Sequence, residues 1–153
     1  MRKLLLLITL ALSLTLNAQE KETKTLNALL KQETRLTARS NPSELILKAM
    51  VQYKDGNDVV DLKSMKLNLE GTTRIADVKN VKVYTTGLED YDNNRFLDYA
   101  TLIGSCEPQV EDFVCELEGQ LLEGINYLWI TVDVADDAVE GNSIDMSCLE
   151  IST

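Results

Sequence analysis

A chain of 153 residues with 25 acidic against 15 basic side chains carries a formal charge of −10. That excess argues against nucleic acid and anionic membrane surfaces as partners, because phosphate binding draws on clustered Lys and Arg. There is no His, which removes the commonest general base and the commonest transition-metal ligand together.

Taken in order, Arg2-Lys3, an apolar run from Leu4 to Leu16 and the small residue Ala18 read as a secretory signal peptide over residues 1–18. The run is too short for a comfortable membrane span, and no later stretch offers one. The expected product is an exported, soluble protein, periplasmic, cell-surface or extracellular, with a charge of −12 once Arg2 and Lys3 are lost. About 135 residues then remain, enough for one domain with a real core.

Residues 19–40 read as a polar lead segment. Gln19 to Lys31 suits a flexible stretch or one loose helical turn, and Gln32 to Arg39 suits a first edge strand ended by Asn41-Pro42. The domain proper is expected over 41–153. Leu45, Leu47, Ala49, Val51 and Tyr53 share one parity, the pattern of a core strand closed by the Asp55-Gly56-Asn57 turn. Met65, Leu67 and Leu69 give the next strand one apolar side before Gly71 breaks it. From Ile75 to Thr86 the apolar parity changes between Val78 and Val81, so a bulge is expected near Lys79-Asn80. Leu88 to Asn94 is an acidic loop, Arg95 to Ile103 a strand, and Val110 to Leu122 another with Phe113, Cys115 and Leu117 inward.

The strongest strand signal follows the Gly124-Ile125-Asn126 turn. Leu128, Ile130, Val132 and Val134 alternate with Tyr127, Trp129, Thr131 and Asp133. A last short strand falls near Ile144 to Ile151. Seven or eight strands joined by Gly, Asn and Asp turns, with no helical period, define an all-β antiparallel β-sandwich.

Cys106 and Cys115 flank a Glu107-Pro108 turn, the arrangement of a hairpin-bridging disulfide, although sequence alone does not fix connectivity. Cys148 is left as a small buried hydrophobe. Three scattered Cys without His or a CxxC pair do not make a zinc site, and no cofactor is expected.

The order Leu67-Asn68-Leu69-Glu70-Gly71-Thr72-Thr73, Ile75-Ala76-Asp77-Val78, Val81-Lys82-Val83-Tyr84-Thr85-Thr86-Gly87 and Gly124-Ile125-Asn126-Tyr127-Leu128-Trp129, followed by Asp133-Val134, Ala138 and Gly141-Asn142, resembles the non-catalytic amino-terminal domain attached to BNR-repeat neuraminidases (sialidases) of secreted Bacteroidota proteins. The resemblance runs from about Leu45 to the end. It implies an accessory sandwich, jelly-roll-like or similar to a carbohydrate-binding module, ahead of a sialidase propeller in longer relatives, with a glycan or a neighbouring protein or domain as partner. A propeller needs blades of about 40–50 residues each, and this chain stops at Thr153 with four Arg beyond residue 18. It is therefore expected not to be an enzyme. A truncated sialidase reading frame is a further alternative.

Two readings attach to each candidate site. Trp129 and Tyr127, on the parity opposite the core, suit either a sugar-stacking platform or packing beneath the Leu88 to Asn94 loop. Lys66, Lys82 and Tyr84 become neighbours if their strands pair, giving a positive spot for a sialic acid carboxylate; otherwise the lysines are ordinary solvent-facing residues. Asp90, Asp92 and Asn94 alternate as calcium ligands do, but lack the fixed Gly and distal Glu of an EF-hand, so a solvated acidic loop is the default. Asp133, Asp136 and Asp137 invite the same comparison. Glu116 and Glu118 have nothing in the sequence to place them across a sugar cleft. Gly124, Asn126 and Asn142 are read as turn-setting residues.

Overall fold

The computed structural model describes residues 25–34, 37–54 and 59–153. The expected signal peptide and the Asp55-Gly56-Asn57 turn lie outside the described residues. Among those described, the chain forms eight strands: β1 (Thr25–Gln32), β2 (Glu44–Lys54), β3 (Val59–Asn68), β4 (Val78–Thr85), β5 (Thr101–Cys106), β6 (Phe113–Leu122), β7 (Gly124–Val134) and β8 (Ser147–Ser152). A five-stranded sheet in the order β1-β2-β7-β4-β5 faces a three-stranded sheet in the order β6-β3-β8, and every ladder is antiparallel. This is the expected β-sandwich. No helix among the described residues is long and apolar enough to cross a membrane.

Strand β7 is the middle of the larger sheet because it can be buried on both faces. Leu128, Ile130 and Val132 are fully buried and Val134 nearly so, within a core that also takes Ala49, Val51 and Tyr53 from β2, Val81 and Val83 from β4, and Met65, Leu67, Phe113, Cys115 and Leu117 from the opposite sheet. Alternation puts these side chains on one surface of each sheet, and burying them from water is the main force holding the layers together. The β4 ladder shifts register between Val78 and Asn80, the bulge that the parity change at Lys79-Asn80 foretells.

Several features differ from the sequence reading, among them Ile75–Asp77, a 3₁₀ turn ahead of β4 where a strand start was read. The first edge strand is Thr25–Gln32 rather than Gln32 to Arg39, so the sandwich begins within the stretch read as a lead segment; β1 pairs with β2 residue for residue from Thr25↔Lys54 to Gln32↔Leu47. Its sequence barely alternates, and Leu29 and Leu30 are exposed, so the ladder with β2 dictates its conformation. The strand read from Arg95 splits into a 3₁₀ turn at Phe96–Asp98 and β5 at Thr101–Cys106. A register shift between Leu45 and Leu47 in β2 sends Leu45 to the outer face instead of the core.

The turn from β6 to β7 shows how side chains set topology. Gly124 adopts φ +125°, a conformation open to glycine. Asn126, fully buried, accepts from the Leu122 N–H (2.9 Å) and donates to the Leu122 carbonyl (2.7 Å). Its part in the turn is played by its amide rather than by a positive φ.

Candidate outer-face site

Opposite the core, the outer surface of the five-stranded sheet carries one transverse row of side chains: Lys48 on β2, Trp129 on β7 and Tyr84 on β4 are in register. The loop after β4 folds over this row. Asp92 starts that fold, its Oδ1 accepting from the Asn94 N–H and its carbonyl from the N–H groups of Arg95 and Phe96. Phe96 is thereby laid on Trp129, with ring centroids 4.6 Å apart and planes 8° apart, and meets Tyr84 edge-on at 6.2 Å. Leu45 completes this second apolar cluster.

Trp129 is fully buried, and its indole N–H donates to Thr86 Oγ1 at 3.0 Å. The sugar-platform expectation for Trp129 is thus overturned: Phe96 occupies the face a sugar would need. Tyr127 is half-buried beside it.

Lys66 and Lys82 do not meet, because β3 pairs with β6 and β8 whereas β4 pairs with β5 and β7. Lys66 Nζ contacts Asp112 at 2.9 Å on the smaller sheet. Lys82 Nζ contacts Asp133 Oδ1 at 2.7 Å, and Tyr84 Oη shares a 3.1 Å hydrogen bond with Ser43 Oγ. Partial burial pushes the Asp133 carboxyl up, but Lys82 and the Ser43 N–H outweigh it and hold it below the usual range. The expected positive spot joining Lys66 to Lys82 and Tyr84 is therefore absent.

The calcium arrangement does not assemble either. Asp90 ion-pairs with Lys48, and Asp92 caps its own loop. Asp133, Asp136 and Asp137 go separately to Lys82, Lys79 and Arg74. Among the described residues no group of three or more Cys, Asp or Glu is placed to hold a metal. Glu116 and Glu118 lie exposed on the outer side of β6.

What the loop does create is an open cleft of about 510 Å³, lined by Glu33, Lys48, Asp90, Tyr91, Asp92, Asn93 and Asn94. Glu33 is anchored by its N–H to the Ile46 carbonyl and lies 3.0 Å from Lys31 Nζ. The Lys48 side chain is 9% exposed, its ammonium held between Asp90 and the faces of Trp129 (4.2 Å) and Tyr127 (5.2 Å). Tyr91 is stacked on Tyr99 at 4.3 Å, which fixes its ring at the mouth. Carboxylates and amides that accept and donate hydrogen bonds, next to an ordered phenol, complement a hydroxyl-rich ligand. Sequence reasoning passed over Lys48, Glu33 and Phe96. The available signal was Lys48 itself, a lone charge inside the otherwise apolar run Leu45 to Val51.

The three cysteines are free thiols here. The hairpin expected between Cys106 and Cys115 is absent, since β5 and β6 belong to different sheets, yet the two thiols are neighbours. Cys148 is half-buried against the core, and burial pushes its thiol up to about 11.

Fold and site together define a two-layer antiparallel β-sandwich with a polar cleft on the outer face of its larger sheet. Residues 38–152 match the family described as the N-terminal domain of BNR-repeat neuraminidase, and the chain belongs to that family. Among solved structures it is similar to Hadza microbial sialidase Hz136, with a TM-score of 0.61 and 14% identity over 80% of this chain and 27% of that one. At that identity the likeness concerns the fold, and this chain spans about a quarter of the length of that sialidase. No curated protein matches it.

Proposed function

We propose that this chain is an exported, non-catalytic accessory module that contacts glycans through the Lys48 cleft. The observation that carries this reading is the cleft lining: Glu33, Asp92, Asn93 and Asn94 around the fixed ring of Tyr91. Membership of a neuraminidase-associated family supports a sugar as the ligand class. Lys48 is already neutralised by Asp90, so the lining favours the hydroxyls of neutral sugar residues over a sialic acid carboxylate. Arg74 is taken up by Asp77 and Asp137 and Arg95 by Asp98, and neither lines the cleft, which supports a non-catalytic role.

Calorimetric titration with lactose, sialyl-lactose and longer neutral oligosaccharides tests this, with Tyr91→Ala and Asn93→Ala as variants. Heats that saturate with neutral sugars and weaken at least several-fold in Tyr91→Ala are expected. Flat titrations across the panel would overturn the reading.

The burial of Trp129 favours a second one: a structural module that packs on a neighbouring domain or protein and has no sugar ligand. On that reading Tyr91→Ala changes nothing in the titrations, while a downstream sialidase domain supplied in trans binds the intact sandwich.

A further inference from the structure

We propose that Cys106 and Cys115 form a redox-driven cross-link that ties the edge of the five-stranded sheet to the edge of the three-stranded one. β5 is the last strand of the order β1-β2-β7-β4-β5 and β6 the first of β6-β3-β8, so both are edges, and no ladder joins them. They nonetheless run flank to flank. A methyl group at Gly104 would lie 2.5 Å from Leu117 Cδ2 and 2.6 Å from the Glu116 carbonyl oxygen, and one at Gly119 would lie 3.1 Å from Ile103. The juxtapositions 103 with 119 and 104 with 116–117 descend on one strand as they ascend on the other, an antiparallel approach across the corner of the sandwich that carries 106 toward 115. Glycine at two of these positions lets the backbones come this close.

Cys106 and Cys115 sit at the end of that seam. Cys115 is fully buried in the core, and Cys106 packs against it while remaining partly open to solvent. The two thiols are neighbours across the seam, each perturbing the titration of the other. Cys148 lies on β8, opposite Leu67, with its sulfur directed at the Glu150 carbonyl. β3 lies between β8 and β6, which keeps Cys148 a full strand away from Cys115.

The oxidant is an exchangeable small-molecule disulfide. Cys106, the accessible partner, attacks it, forming a mixed disulfide and releasing one small thiol. Cys115 then gives up its proton and attacks the Cys106 sulfur, releasing the second small thiol and leaving the Cys106–Cys115 bond. Two protein thiols are oxidised and one small-molecule disulfide is reduced.

The full chain, and its Cys148→Ser and Cys106→Ser variants, are equilibrated in buffers of defined reduced and oxidised glutathione, alkylated after denaturation and mapped by peptide mass. A linked peptide pair carrying Cys106 and Cys115 is expected in wild type and in Cys148→Ser, with one thiol left to alkylate in wild type. Closing a loop of about ten residues should raise the melting temperature by about 5–10 °C over the reduced protein. The Cys106→Ser variant should show neither the link nor the oxidant-dependent rise. Three alkylated thiols in the most oxidising buffer, or a link that uses Cys148, would overturn the proposal. Neither result depends on sugar binding.

Discussion

Replacing Phe96 with Ala removes the lid from Trp129 and touches no residue of the core between the sheets. Phe96 is 2% exposed and stacked on the indole. A buried Phe takes about 150 Å² from water, which at about 25 cal/mol per Å² is worth about 4 kcal/mol. A compact unfolded chain reduces that by about a third, and losing the stacked ring pair adds back about 1 kcal/mol. The expected cost is therefore about 3–4 kcal/mol, a large share of a total stability of about 5–15 kcal/mol. Urea denaturation measures it, and because Trp129 is the only Trp in the chain, acrylamide quenching of its fluorescence reports the exposure directly. Wild type should resist quenching, and Phe96→Ala should be quenched at least several-fold more readily while still folded. A loss below about 1 kcal/mol with unchanged quenching would refute the reasoning, for then Phe96 does not cover the indole.

Other substitutions test separate parts of the structure. Asn126→Ala leaves the Leu122 N–H and carbonyl without their side-chain partner in a part-buried turn and should cost about 1–2 kcal/mol in urea denaturation. Gly104→Ala, which drives a methyl into the Glu116 backbone, should destabilise by about 1–3 kcal/mol through steric strain, whereas Gly87→Ala, with open space around it but φ +62°, should cost about 1 kcal/mol. Asn142 donates to Asp77 and, with Arg74 and the Val139 N–H, holds its carboxyl below the usual range against the upward push of burial. A depressed folded pKa contributes stability above the unfolded value and loses it as pH falls through the folded one, so wild type should lose stability below about pH 4. Asp77→Asn should flatten that acid limb in melting curves taken against pH.

The alternation of Leu128, Ile130, Val132 and Val134 placed β7 without ambiguity, because a strand with one face in the core must repeat its apolar residues every second position. The parity change between Val78 and Val81 located the bulge for the same reason. Strand β1 gave no such signal: it lies at an edge, and its pairing with β2, not its own pattern, makes it a strand. The fate of Leu45 depended on a register shift that apolar parity cannot reveal when both destinations are apolar. Nor did parity say what covers the outer face. It put Tyr127 and Trp129 on that side, but the lid is Phe96, 33 residues earlier in the chain than Trp129, and no local pattern links the two. Lys66 and Lys82 were separated by strand order, which depends on how the sheets close and is invisible to a strand-by-strand reading.

Sugar contact at the cleft beside Lys48 is tested most directly by mapping amide chemical-shift changes while a neutral oligosaccharide is added to isotopically labelled protein. The changes should gather on Glu33, Lys48 and the stretch from Asp90 to Asn94, and saturate together. Saturating changes confined to the smaller sheet, or none at sugar concentrations in the millimolar range, would contradict it.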